Sequence, residues 1–89
     1  MSIERIMTKP LKALANERRL RIVSFLKKKR EKSVGTISQH MKLSVRSVSK
    51  HLAVLRLADI VEKEQRSKMV FYKVKHDMPV CAEKVISLL

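Results

Sequence analysis

The stretch Ser44–Leu55, "SVRSVSKHLAVL", carries two patterns at once. Val45, Val48, Leu52 and Leu55 recur at helical spacing and form an apolar stripe, the side of a helix that faces a core. Arg46, Ser47, Ser49 and Lys50 fill the rest of its first turns. With Val48 at zero on a helical wheel, Leu52 and Leu55 fall within about 40° of it, and Arg46 and Lys50 lie nearly opposite. Ser47 and Ser49 flank that polar pole. Ser44 is a natural N-cap, and the spacing predicts a helix to about Ala58.

The sequence on either side gives this helix its setting. Upstream, Thr36 can cap a short helix, "ISQHM", with Ile37 and Met41 on its buried side, and "KLS" is the turn between the two. A short helix, a tight turn and a second helix with a mixed face make a helix-turn-helix. Downstream, the period drops from 3.6 to 2. "IVEKE" and "MVFYKV" read as strands with "QRSK" at the tip, and Val70, Tyr72 and Val74 share one face. A basic hairpin placed there is a wing.

The rest of the chain is helical in pattern. Ser2 can cap a first helix through Ile3, Ile6 and Met7, and Pro10 should kink it or begin a new turn carrying Leu11 and Leu14. Asn16 can cap "ERRLRIVSFLKKK", acidic at its start and basic at its end as the helix dipole favours. "KREKS" reads as a solvated connection. "DMPVCAEKVISLL" reads as a terminal helix with Asp77 as cap and Pro79 in its first turn. The expected fold is mainly α with a small β-hairpin, a winged helix-turn-helix in the order α-α-α-α-β-β-α, spanning residues 1–89 as one domain.

Composition agrees. The chain has 89 residues, enough for one small domain, and 45% of them are apolar, enough for a core. One glycine and two prolines are poor material for an all-β fold. The single Cys81 allows no intrachain disulfide and suits a reducing compartment. "MSIERIMTKP" has no signal-peptide core, and no apolar run approaches membrane-spanning length, so a soluble, cytoplasmic, nucleoid-associated protein with no membrane partner is expected.

Lys and Arg number 21 against 8 Asp and Glu, a net charge of +13. So much like charge on a small body repels itself unless a polyanion is the usual partner. Double-stranded DNA is that partner on this reading. The N-terminal part of the second helix of a helix-turn-helix enters the major groove. There Arg can read guanine with two hydrogen bonds, Ser can reach a base edge or a phosphate, and Lys can bind either. The candidate DNA-binding residues are therefore Ser44, Val45, Arg46, Ser47, Ser49 and Lys50 on the helix, about 44–58. Arg66 and Lys68 on the wing, about 64–69, join them at the backbone or minor groove. The plainer alternatives are a solvated helix face and a turn kept polar for solubility.

From Leu11 to Val74 the chain resembles the ArsR/SmtB group of bacterial and archaeal transcriptional regulators. The resemblance rests on "LKALANERRLRIVSFL" and on Leu43–Leu55, which follows Leu-Ser-x-x-x-Val-Ser-x-His-Leu-x-x-Leu. It implies a homodimeric repressor whose first and last helices, about 2–14 and 77–89, form the dimer interface. It places Ser44 to Lys50 on the recognition helix and gives His51 a packing role. The apolar residues for that interface are Ile3, Ile6 and Met7 with Val85, Ile86 and Leu89, many for the two ends of so small a chain.

The sequence departs from the metal-sensing members. Ser33, Val34 and Gly35 stand where those carry a Cys-Val-Cys box, and His76, Asp77, Cys81 and Glu83 do not have the spacing of the other sensor site. The wing also lacks the family's usual glycine, leaving its turn geometry open. His40, His51 and His76 are scattered, and Cys81 in an apolar helix is more often inert than a redox switch. No metal site, no cofactor and no enzymatic constellation is expected. Two other readings use the same fold: an architectural DNA-binding protein with little sequence preference, and a protein-interaction module.

Overall fold

Val45–Leu57 is helical in the structure, a computed structural model that describes residues 2–89. Seven elements surround it. They are α1 (Ile3–Leu14), α2 (Glu17–Lys29), β1 (Lys32–Ser33), α3 (Val34–Met41), then, after α4 (Val45–Leu57), β2 (Val61–Arg66), β3 (Met69–Val74) and α5 (Val80–Ile86). Helix starts follow the capping chemistry. Ser2, Asn16 and Ser44 accept the backbone N–H groups of Arg5, Arg19 and Ser47 at 3.2, 3.1 and 3.1 Å.

A core of aliphatic side chains fixes which face each helix turns inward. Val48, Leu52 and Leu55 of α4 are fully buried, together with Ile22, Val23 and Leu26 of α2 and Ile37 of α3. Each such side chain contributes about 1.5–3 kcal/mol of transfer free energy, enough to set a helix's rotation about its axis. Tyr72 of β3 closes the core from the wing side, with Val70 and Val74 packed partly against it.

Five sequence expectations change. α1 runs unbroken through the buried Pro10, which costs it only the one hydrogen bond that a Pro10 N–H would have given the Ile6 carbonyl. "KREKS" is not wholly a solvated connection. Lys32 and Ser33 form β1, antiparallel to β3 in the register Lys32↔Tyr72 and Ser33↔Phe71, so the sheet is three-stranded in the order β1-β3-β2. The cap of α3 is Ser33, not Thr36. Its Oγ accepts the Thr36 N–H at 3.2 Å and its hydroxyl donates to Thr36 Oγ1, so the helix starts earlier. Asp77 does not cap α5, which begins after Pro79 without a side-chain cap. The wing tip is Ser67–Lys68 alone, because Gln65 and Arg66 pair with Val70 and Met69 in the ladder.

Candidate DNA-binding surface

The turn between α3 and α4 decides where α4 points. Lys42 occupies the left-handed region at φ 57° and ψ 42°. The Leu43 N–H bonds the Ser38 carbonyl at 3.2 Å and the Lys42 N–H bonds the Gln39 carbonyl at 3.3 Å, the paired bonds of a Schellman ending. The buried Ser38 hydroxyl donates to the Leu43 carbonyl, tying the turn a third time. The other end of α4 closes the same way through Asp59 at φ 60°, with the Ile60 N–H on the Leu55 carbonyl at 3.0 Å.

Along α4, Val45, Arg46 and Lys50 are exposed, and Ser47 and Ser49 are half-buried. Among the described residues, neither Arg46 nor Lys50 forms an ion pair, so both charges face solvent at the N-terminal end of a helix. The Ser44 oxygen is engaged as the cap, leaving its proton for an outside acceptor.

His51 packs behind this surface. Arg19 donates to its Nδ1 at 3.4 Å and to the carbonyls of Ala13 and Lys12, which ties α4 to the end of α1. Burial, followed by the nearby charges of Arg19 and Arg18, holds the His51 pKa below its ordinary value. The Arg19 contact needs a free lone pair on Nδ1, hence a neutral ring.

The two wing cations differ. Arg66 pairs with Glu31, and its guanidinium carbon lies 4.0 Å from the centre of the Phe71 ring. Lys68 stands exposed at the tip, among the described residues without an ion pair. Neither the Glu31 nor the Phe71 contact was expected from sequence. The one signal is Glu31 itself, the sole acid in the run "KKKREKS".

Of the residues that the family resemblance implies for a dimer interface, Ile3 and Ile6 are 66% and 54% exposed, while Met7, Val85 and Leu89 are half-buried. Ile86 corrects the expectation. It is 4% exposed because it is turned into the chain's own core, so little of it remains for a partner to cover. His76 and Asp77 are exposed, Cys81 is half-buried, and His40 stacks on Phe25 with ring centres 3.9 Å apart.

Residues 16–63 match the family described as bacterial regulatory protein, arsR family. This chain belongs to the arsR family. Over 62 residues, 70% of its length, it is 45% identical to the transcriptional activator HlyU of Vibrio cholerae, and it spans 56% of that relative's length. It is also similar to the solved structure of HlyU from Vibrio cholerae, at 35% identity and a TM-score of 0.83, covering 99% of this chain and 92% of that one. A second similar structure is the transcriptional repressor BigR from Xylella fastidiosa. It is 32% identical with a TM-score of 0.75, covering 92% of this chain and 78% of that one. The winged helix-turn-helix is thus the fold of an arsR-family chain, and Ser33 caps its α3. Among the described residues, no helix is long and apolar enough to cross a membrane.

Proposed function

We propose that this chain is a DNA-binding transcriptional regulator that acts as a homodimer, with α4 in the major groove and Lys68 of the wing on a neighbouring phosphate. One observation carries the reading. Arg46 and Lys50 stand exposed and, among the described residues, without ion pairs at the N-terminal end of a helix whose opposite face is fully buried and whose entry turn is tied three times. Arg46 is assigned to a base edge, Lys50 and Ser47 to a base edge or phosphate, and Ser44, through its remaining proton, to a phosphate. Arg66, held by Glu31 and Phe71, has a weaker part than Lys68.

Dimerisation rests on the exposed Ile3 and Ile6, extended by Met7 on the same helix and by Val85 and Leu89 at the adjoining C-terminal end. A two-fold dimer should read an inverted repeat with half-sites about 34 Å apart. HlyU is named an activator and BigR a repressor, so one fold serves both directions. Repression follows here where the operator overlaps the promoter. The DNA partner places the protein in the cytoplasm, and no metal or enzymatic step enters the reading.

The test is selection of bound sequences from a random duplex pool, followed by titrations. An inverted repeat should emerge. Arg46→Ala should cost about 1–3 kcal/mol on it and much less on random DNA. Lys68→Ala should weaken both DNAs equally and lower the salt slope by about one unit. No enriched sequence, or equal losses for Arg46→Ala on both DNAs, would favour the architectural reading. Sedimentation as a monomer at micromolar concentration would remove the dimer.

A further inference from the structure

Beside the C-terminal half of α4, away from its reading end, lies a groove of about 560 Å3 between α4 and α1. Val54 and Leu57 belong to its α4 wall, and they are 41% and 60% exposed. Its α1 wall bears Arg5, Lys9 and Lys12, all exposed and, among the described residues, without an ion pair. Arg19 adds a further guanidinium at the edge, held in place by the carbonyls of Ala13 and Lys12.

We infer that this groove binds a small amphipathic carboxylate, a single anionic head on an aliphatic tail. The three cations of α1 call for an anion. The methyl groups of Val54 and Leu57 call for a hydrocarbon, which a bare phosphate or a DNA backbone does not offer. The volume falls within the roughly 300–1,000 Å3 of small-molecule sites. A second copy of this chain is poorly matched, because it would bring another Arg5, Lys9 and Lys12 to a surface that lacks acids. The cations also lie on a different flank of α1 from Ile3 and Ile6, so dimerisation through those residues leaves the groove free.

Decanoate below its micelle concentration is the probe. It is titrated into the DNA-free full chain and followed by the methyl resonances of Val54 and Leu57, so the result is independent of the DNA reading. Saturable shifts centred on these two residues are expected. Octyl glucoside, which is neutral, should bind at least tenfold more weakly, and inorganic phosphate should not move the two methyls. Lys9→Gln with Lys12→Gln, and separately Leu57→Ser, should each weaken decanoate at least fivefold. Lys28→Gln, an exposed change on α2, should leave it unaltered, and circular dichroism verifies each fold. The assignment is overturned if octyl glucoside binds as well as decanoate, if phosphate alone produces the shifts, or if Lys28→Gln matches the α1 pair. It also fails if rising protein concentration alone shifts Val54 and Leu57, which would make the groove a contact between copies.

Discussion

The turn before α4 and the turn at the wing tip both pass through a left-handed residue that is not glycine, Lys42 at φ 57° and Ser67 at φ 59°. Around Lys42, two backbone bonds and the buried Ser38 hydroxyl hold the chain. Around Ser67, only the strand ladder does, ending at Arg66↔Met69, and both tip residues are exposed. Positive φ at the first tip residue and not at the second is the sign pattern of a II′ turn, where glycine is preferred. Left-handed backbone at such a residue costs of order 1–3 kcal/mol and persists where the surroundings over-determine it. The first turn meets that condition and the second barely does. α4 is therefore held in one orientation, while the tip that carries Lys68 is less constrained.

Removing the extra tie should give the largest effect. Ser38→Ala deletes the donor to the Leu43 carbonyl and should destabilise the chain by about 1–3 kcal/mol in urea unfolding. A loss below 0.5 kcal/mol, on the order of a surface substitution, would erase the contrast between the turns. Ser44→Ala removes the cap that follows the same turn and should cost about 1 kcal/mol. The tip should respond in the opposite direction. Ser67→Gly relieves the positive φ and should raise stability by about 0.5–1 kcal/mol, after the entropy that glycine adds to the unfolded chain. A Ser67→Gly variant less stable than the parent would mean that the tip, too, is locked by its side chain.

The smallest effect concerns pH and sharpens the account of α4. The His51 pKa is lowered in the folded state, so below about 6.5 the unfolded chain takes up the proton more readily. Its contribution is therefore fully present above that value and is lost as pH falls through it toward the lower, folded pKa. Urea midpoints measured from pH 7.5 to 5.5 should decline, and His51→Gln should flatten the decline. An unchanged slope would detach His51 from the stability of the α4 packing.

Much of this was legible in the sequence because it is local. Ser2, Asn16 and Ser44 announce their helices by capping chemistry, and the change of period after Ala58 announces the wing. Arg46 and Lys50 could be placed on the solvent side because Val48, Leu52 and Leu55 fix the wheel. What escaped is non-local or too short to have a period. Two residues cannot show alternation, so β1 is visible only through its pairing with β3. The capture of Arg66 by Glu31 joins side chains brought together by that same pairing. Ser38 left a readable trace: it lies four residues after Val34 and three before Met41, on the apolar stripe of α3, where a hydroxyl needs an acceptor. Ile86 misled because a helix-end aliphatic looks the same whether its own core or a partner covers it.

The pairing of Ser33 with Phe71 also governs how the molecule assembles. It fastens a loop of chain that holds α3, α4, β2 and the tip of the wing. Closing a flexible loop of that length costs about 3 kcal/mol, more than two short strand pairs return. The clasp is therefore favourable only once the helices inside it have packed and shortened the gap. A fragment cut before β3 forfeits the clasp and with it Tyr72, which closes the core from the wing side where β3 packs on α2 and α3. The helix-turn-helix is consequently not a detachable module in this chain. It should melt with its wing as one cooperative unit.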